Sequence, residues 1–239
     1  MEFAFIGRGG NGRDGHYFTD RRIIHRDVTG ITGTSTTYTS WPYSAIKAWA
    51  VSTAGGGFDS DSELRVWASG MGEMEIEFSK KKVDLFAIQQ FLSLKIIPRD
   101  DGTSYKVPPG QYSQGNLDHD NSTTVSNFIN WVSGDAKQVN PADIEARLKT
   151  SPPVLLPDER VEMAFRSGRD LLVLTPKRYL IVDPRGITGK KVVYMSVMWK
   201  CMRAFEVSPS RKSITQRARS WPGVYSTGAV VTSKRACSW

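Results

Sequence analysis

The sequence predicts a mainly β protein of the α+β class, built from two bent-sheet units. The first is closed by a C-terminal helix and the second is incomplete. Three observations predict it. The tetrapeptide GITG occurs twice, as Asp27-Val-Thr-Gly-Ile-Thr-Gly33 and Asp183-Pro-Arg-Gly-Ile-Thr-Gly189. Apolar residues alternate with polar ones over Glu63–Ser69 and again over Met74–Phe78. Immediately afterwards the spacing changes from two to that of a helix, with Leu85, Ile88 and Leu92 on one side and Phe91 beside them.

The repeat extends far beyond GITG. Residues 13–52 align without a gap on residues 169–208, an offset of 156. Arg13-Asp14 matches Arg169-Asp170, Thr19 matches Thr175, and Arg22 matches Arg178. Tyr38 matches Tyr194, Ser40 matches Ser196, and Val51-Ser52 matches Val207-Ser208. Ordered identities at one offset mark a duplicated structural unit. In each copy an apolar run enters Asp-x-x-Gly-Ile-Thr-Gly and a second strand-like run leaves it. The glycines permit positive φ, and the Asp can accept hydrogen bonds from backbone two residues on. GITG is therefore expected to be a loop between strands.

The elements follow in order. Gly7-Arg-Gly-Gly-Asn-Gly12 satisfies G-x-G-x-x-G, yet a turn and strand follow it instead of a helix, so a dinucleotide site is not expected. The second copy lacks these glycines, which makes the segment a loop insertion of about four residues by comparison with residues 165–168. The alternating runs at 63–69 and 74–78 flank Gly70-Met-Gly72 and read as a hairpin. Residues 84–92 read as an amphipathic helix that docks on the open end of the curved sheet.

The order of motifs in residues 1–94 resembles the bacterial-type pleckstrin homology (PH) domain. It is carried by Arg13-Asp14, Thr19, Arg22, Asp27, Gly30–Gly33, Tyr38, Ser40, Pro42-Tyr43, Ile46, Thr53-Ala54-Gly55, Phe58-Asp59 and Asp61–Leu64. The resemblance implies a seven-stranded bent sheet with a C-terminal helix, a non-enzymatic interaction module, and assembly into rings.

The expected organisation is a complete PH-like domain over 1–95, a flexible linker over 96–125, a helical leader with a partial second domain over 126–208, and a basic divergent tail over 209–239. Asn127–Val132 reads as a short helix. Asn140-Pro-Ala-Asp143 supplies an N-cap, a first-turn Pro and a first-turn acid, and predicts a helix over Pro141–Lys149. After Ser208 the family pattern ends. Four readings stay open there: Val224–Val231 folds back as a substitute strand, a partner completes the sheet, the second copy is defective, or the tail reflects an error of reading frame.

Composition excludes several classes. Lys and Arg exceed Asp and Glu by 32 to 24, but the excess is confined to residues 155–239, which carry 16 basic and 6 acidic groups. No apolar run long enough to span a membrane occurs, and the N-terminus does not read as a secretory signal. The two cysteines, Cys201 and Cys237, have no Cys or His at metal-ligand spacing and read as reduced thiols of a cytoplasmic protein. His16, His25 and His119 have no nucleophile or carboxylate at motif spacing. The second copy has Leu172 and Ile181 at the places of His16 and His25, which points to structural positions. Asp59, Asp61 and Glu63 lack the glycine and terminal acid of a calcium loop. Trp41, Trp49, Trp67, Trp131 and Trp199 read as core or interface anchors.

No catalytic residue, cofactor or metal is expected. The first functional expectation is a binding or scaffolding module whose partner is another protein or a second copy. The alternative is an anionic lipid or phosphoinositide held at the membrane surface by Arg185, Lys190 and Lys191 around the second GITG loop. Nucleic acid is not expected as a partner.

Overall fold

The computed structural model of the chain describes residues 3–6, 14–29, 35–54, 61–78, 83–99, 137–185, 191–202, 224–227 and 230–233. In chain order the first copy forms β1 (Phe3–Ile6), β2 (Gly15–Phe18), β3 (Arg22–Thr29), β4 (Ser35–Pro42), β5 (Ile46–Ser52), β6 (Ser62–Ala68), β7 (Gly72–Phe78) and helix α1 (Leu85–Ile96). After β8 (Lys137–Gln138) and helix α2 (Pro141–Thr150), the second copy forms β9 (Met163–Ser167), β10 (Asp170–Leu174), β11 (Arg178–Arg185) and β12 (Lys191–Met198). A last hairpin pairs β13 (Val224–Thr227) with β14 (Val230–Ser233).

The duplication is repeated in hydrogen bonds. In the first copy the Thr19 hydroxyl accepts from the Arg21 and Arg22 amides, and the Tyr43 amide donates to the Arg21 carbonyl at 3.1 Å. In the second, the Thr175 hydroxyl accepts from the Lys177 and Arg178 amides, and the Trp199 amide donates to the Lys177 carbonyl at 3.2 Å. Strands β3 and β4 pair antiparallel through Thr29 opposite Ser35, and β11 and β12 through Arg185 opposite Lys191. Each GITG therefore joins paired strands, although residues 30–34 and 186–190 themselves lie outside the described residues.

The hairpin and both helices form where expected. Leu64, Val66 and Ala68 of β6 and Met74, Ile76 and Phe78 of β7 are buried, and Gly70 and Gly72 take φ of 72° and 79° in the connecting turn. Asp84 caps α1 by accepting from the Phe86 and Ala87 amides. Asn140 caps α2 through the Ala142 amide, with Pro141 in the first turn. The expected helix at 127–132 and the G-x-G-x-x-G loop lie outside the described residues.

Sheet connectivity departs from two self-contained units. Strands β1–β4 form a four-stranded sheet in the order β1-β2-β3-β4. The second copy does not form a separate sheet. It continues that of the first copy, in the order β7-β6-β5-β12-β11-β10-β9-β8. The outer edge of β12, for which a substitute strand from the tail or a partner stayed open, is covered by β5, with Ser196 opposite Trp49 and Tyr194 opposite Val51. The tail does not supply that strand, because β13 and β14 pair with each other in a sheet of their own.

Helix α1 explains how the halves cohere. Its sequence predicts one apolar face, but two of its sides are packed. Phe91 meets Phe18 and Tyr43 of the first copy edge-on, with ring centroids 6.2 and 5.9 Å apart. Phe86, Gln89 and Ser93 form a second stripe at helical spacing. Phe86 meets Tyr194 edge-on at 5.4 Å, Gln89 donates to the Ser196 hydroxyl, and Ser93 accepts from Arg178. The copies therefore present opposite faces of equivalent sheets to the helix. Leu174, Tyr179, Val197 and Trp199, the counterparts of Phe18, Ile23, Trp41 and Tyr43, lie in a smaller cluster on the other side of the sheet.

His16 and His25 sit opposite each other on β2 and β3 with rings stacked 4.6 Å apart. Leu172 and Ile181 are paired in the same way on β10 and β11. Burial, then the neighbouring His25, lowers the His16 pKa to about 4, with Asp14 opposing. Because His16 takes up a proton more readily when unfolded, its neutral form contributes stability that is complete above about pH 6.5. That contribution is lost as pH falls from there towards 4. Thermal midpoints are expected to drop across this window, and His16→Leu, the residue of the second copy, should flatten the drop.

Candidate interaction surfaces

The junction between the copies centres on Arg178, at the start of β11. Its side chain is completely buried, and a buried guanidinium requires both a counter-charge and acceptors for its N–H groups. Glu159, from the leader between α2 and β9, supplies the charge. Arg178 Nε donates to Glu159 Oε1 at 2.9 Å and Nη2 to Oε2 at 2.8 Å, a bidentate pair. Nη1 donates to the Ser93 hydroxyl of α1 at 3.1 Å and the Ser196 hydroxyl of β12 at 2.8 Å. Nη2 also reaches the Val154 carbonyl at 2.9 Å. The guanidinium carbon lies 5.4 Å from the centre of the Trp49 ring on β5. The Trp49 indole donates to Gln89, which donates in turn to Ser196.

Burial alone pushes the Glu159 carboxyl up. The Arg178 charge and hydrogen bonds, the Leu156 amide and the Thr175 hydroxyl outweigh it and hold the group below the usual carboxylate range. Four elements and the leader thus converge on one ion pair. The repeat alignment identifies Arg22 with Arg178, Ser40 with Ser196 and Thr19 with Thr175, so these positions were visible in the sequence. Their function as a junction was not, because Ser93 and Trp49 lie far from them along the chain and Glu159 lies outside the aligned repeat.

The first copy holds the same residues in a more exposed setting. Arg22 Nη1 donates to the Ser40 hydroxyl at 3.3 Å, as Arg178 does to Ser196, but Arg22 is exposed. Tyr38 is 65% exposed, whereas its counterpart Tyr194 is fully buried beneath Phe86.

Of the three basic residues expected around the second GITG loop, Arg185 and Lys191 are described. Arg185 ends β11 and its Nε donates to Asp183 at 2.9 Å. Lys191 opens β12, and its Nζ lies 2.8 Å from Glu63 of β6, tying the copies together. Lys190 lies outside the described residues. Of the acidic cluster, Glu63 is engaged by Lys191 and Arg65, and Asp59 lies outside the described residues. Among the described residues no group of three or more His, Cys, Asp or Glu side chains could hold a metal ion. Cys201 is buried, and Cys237 lies outside the described residues.

Arg178→Met leaves Glu159 buried without its counter-charge. The expected loss is about 3–5 kcal/mol, read as a lower urea midpoint. Arg22→Met, at the exposed counterpart, should stay within about 0.5 kcal/mol of the parent.

A relative from Bacillus subtilis (strain 168), described as "Uncharacterized protein YjqA", is 36% identical over 95 residues, which is 39% of this chain and 74% of the relative. A crystal structure of a DUF1696 family protein with a pleckstrin-homology domain from Shewanella loihica PV-4 is 40% identical. The match covers 36% of this chain and 72% of that one, with a TM-score of 0.32. A pleckstrin homology domain structure from Shewanella amazonensis SB2B is 35% identical over 36% of this chain and 68% of that one, with a TM-score of 0.30. The family model "Bacterial PH domain" matches residues 11–96 and again residues 127–211. With most of its length matched by two regions of one model, arranged as the repeat requires, the chain belongs to the bacterial PH domain family.

Proposed function

We propose that the protein is a non-catalytic scaffold that works through protein–protein contacts, including contacts between its own copies. The observation that carries this reading is the β5–β12 junction. There, one PH-type unit grips another by strand pairing along an edge, locked by a buried ion pair and covered by a helix. Strand addition gives affinity through the backbone, and side chains such as Trp49 and Arg178 give it selectivity. PH-like domains are typically binding modules, and the same edge chemistry is available between chains.

The second reading is an anionic head group held at the second GITG loop. It draws on the closeness of Arg185, Lys190 and Lys191 in sequence. The pairs Arg185–Asp183 and Lys191–Glu63 weaken it, since a phosphate would have to displace a carboxylate at each. Among the described residues no helix is long and apolar enough to cross a membrane.

Size-exclusion chromatography with light scattering over a range of concentrations tests the first reading. Concentration-dependent association of the chain, or a stable complex with another protein, is expected. A strict monomer that binds no protein would remove it. In flotation with phosphatidylserine vesicles at physiological salt the chain should stay unbound. Flotation abolished by Lys190→Glu together with Lys191→Glu would install the lipid reading instead.

A further inference from the structure

The repeat shows what each face of a unit is built to receive, because one copy has received it and the other has not. In the second copy the face bearing Arg178, Tyr194 and Ser196 is covered by α1, and the adjoining edge of β12 is paired with β5. In the first copy the counterparts are Arg22, Tyr38 and Ser40, and β4 is the counterpart of β12. Among the described residues no strand pairs with the outer edge of β4. Tyr38 is 65% exposed against 0% for Tyr194. Ser35 to Tyr38 are all exposed, whereas Val192 to Tyr194 are all buried. The contact between Arg22 and Ser40 is nonetheless already set, as it is between Arg178 and Ser196.

An identical copy folded in the same way cannot supply this cover through the same contacts. Among the described residues each chain has two accepting faces, on β4 and β12, but a single strand-and-helix donor, β5 with α1. That donor already holds the second copy. Any number of such chains therefore leaves one accepting face per chain unfilled, whatever their symmetry.

We propose that the outer edge of β4, with Arg22, Tyr38 and Ser40, docks a separate protein of the bacterial PH type that presents a free fifth strand and C-terminal helix. This rests on the scaffold reading and names its surface and partner. The 156-residue offset sets the register. Tyr38 stands opposite the partner's equivalent of Val51, and Ser40 opposite its equivalent of Trp49, as Tyr194 and Ser196 do within the chain. An aromatic side chain at the latter position stacks on Arg22, and a helix like α1 covers Tyr38. Because the chain accepts such a partner and has no described donor left to offer, it terminates a head-to-tail series of PH-type units.

The test mixes the full chain with the purified Bacillus subtilis relative, whose 95-residue match is the length of one unit. Sedimentation velocity reads the complex, and hydrogen exchange reads the amides of residues 35–42. The expected result is a one-to-one complex with added protection along β4. Tyr38→Lys and Arg22→Glu should each weaken it about tenfold or more, the effect of losing an interface anchor. Both residues are exposed, so the thermal midpoint should not move. No complex, or a complex indifferent to both substitutions, overturns the proposal. Self-association of the chain that Tyr38→Lys abolishes also overturns it, because a second copy is then the occupant. Association that survives Tyr38→Lys leaves the scaffold reading standing while removing this site; a chain that binds neither itself nor the relative removes both.

Discussion

A guanidinium with no access to water must satisfy every one of its donors inside the protein, and Arg178 does so by drawing together parts of the chain that are remote in sequence. Glu159 comes from the leader, Ser93 from α1, Ser196 from β12, and Trp49 from β5. None can move away without leaving a buried charge or a buried donor unpaired, a penalty of several kcal/mol. Apolar contacts alone would hold the two copies together with more freedom of register. The ion pair and the Trp49–Gln89–Ser196 bridge define which residue of β5 stands opposite which residue of β12.

That constraint makes α1 more than a cap. An ordinary capping helix buries one stripe and exposes the other. Here Phe91 closes the first copy against Phe18 and Tyr43, while Phe86, Gln89 and Ser93 serve the second. The polar members of the second stripe, Gln89 and Ser93, are fully buried and hydrogen-bonded, so they add direction to an otherwise apolar contact. The consequence is an asymmetric pair of duplicates. Equivalent sheets turn opposite faces to the same helix. The second copy thus has its outer face covered by α1, whereas among the described residues nothing of the kind covers that of the first, where Arg22 and Tyr38 are exposed.

This asymmetry bears on function more than the charge of the chain does. Of the basic residues that stand out in the sequence around the second GITG loop, Arg185 is drawn into an ion pair with Asp183 and Lys191 into one with Glu63, and the Lys191 pair is part of the junction between copies. The Arg–Tyr–Ser face, by contrast, is covered by α1 in the second copy and, among the described residues, is left more exposed in the first.

The sequence by itself determined the local elements. Period-two burial at Leu64, Val66 and Ala68, the caps at Asp84 and Asn140, and the repeated Thr19 and Thr175 turns are all set by residues within a few positions of one another, and they were legible for that reason. The duplication was legible too, including the arginine, tyrosine and serine that turn out to matter. Which face of each copy would be covered was decided only in three dimensions. A strand's alternation says that one face is buried but not by what, and in the second copy both faces carry apolar residues, Leu171 and Val173 on one and Leu172 and Leu174 on the other. The choice between them was made by a contact spanning residues 93 and 178, whose energy comes from excluding water around one charge pair and which leaves no local pattern to read.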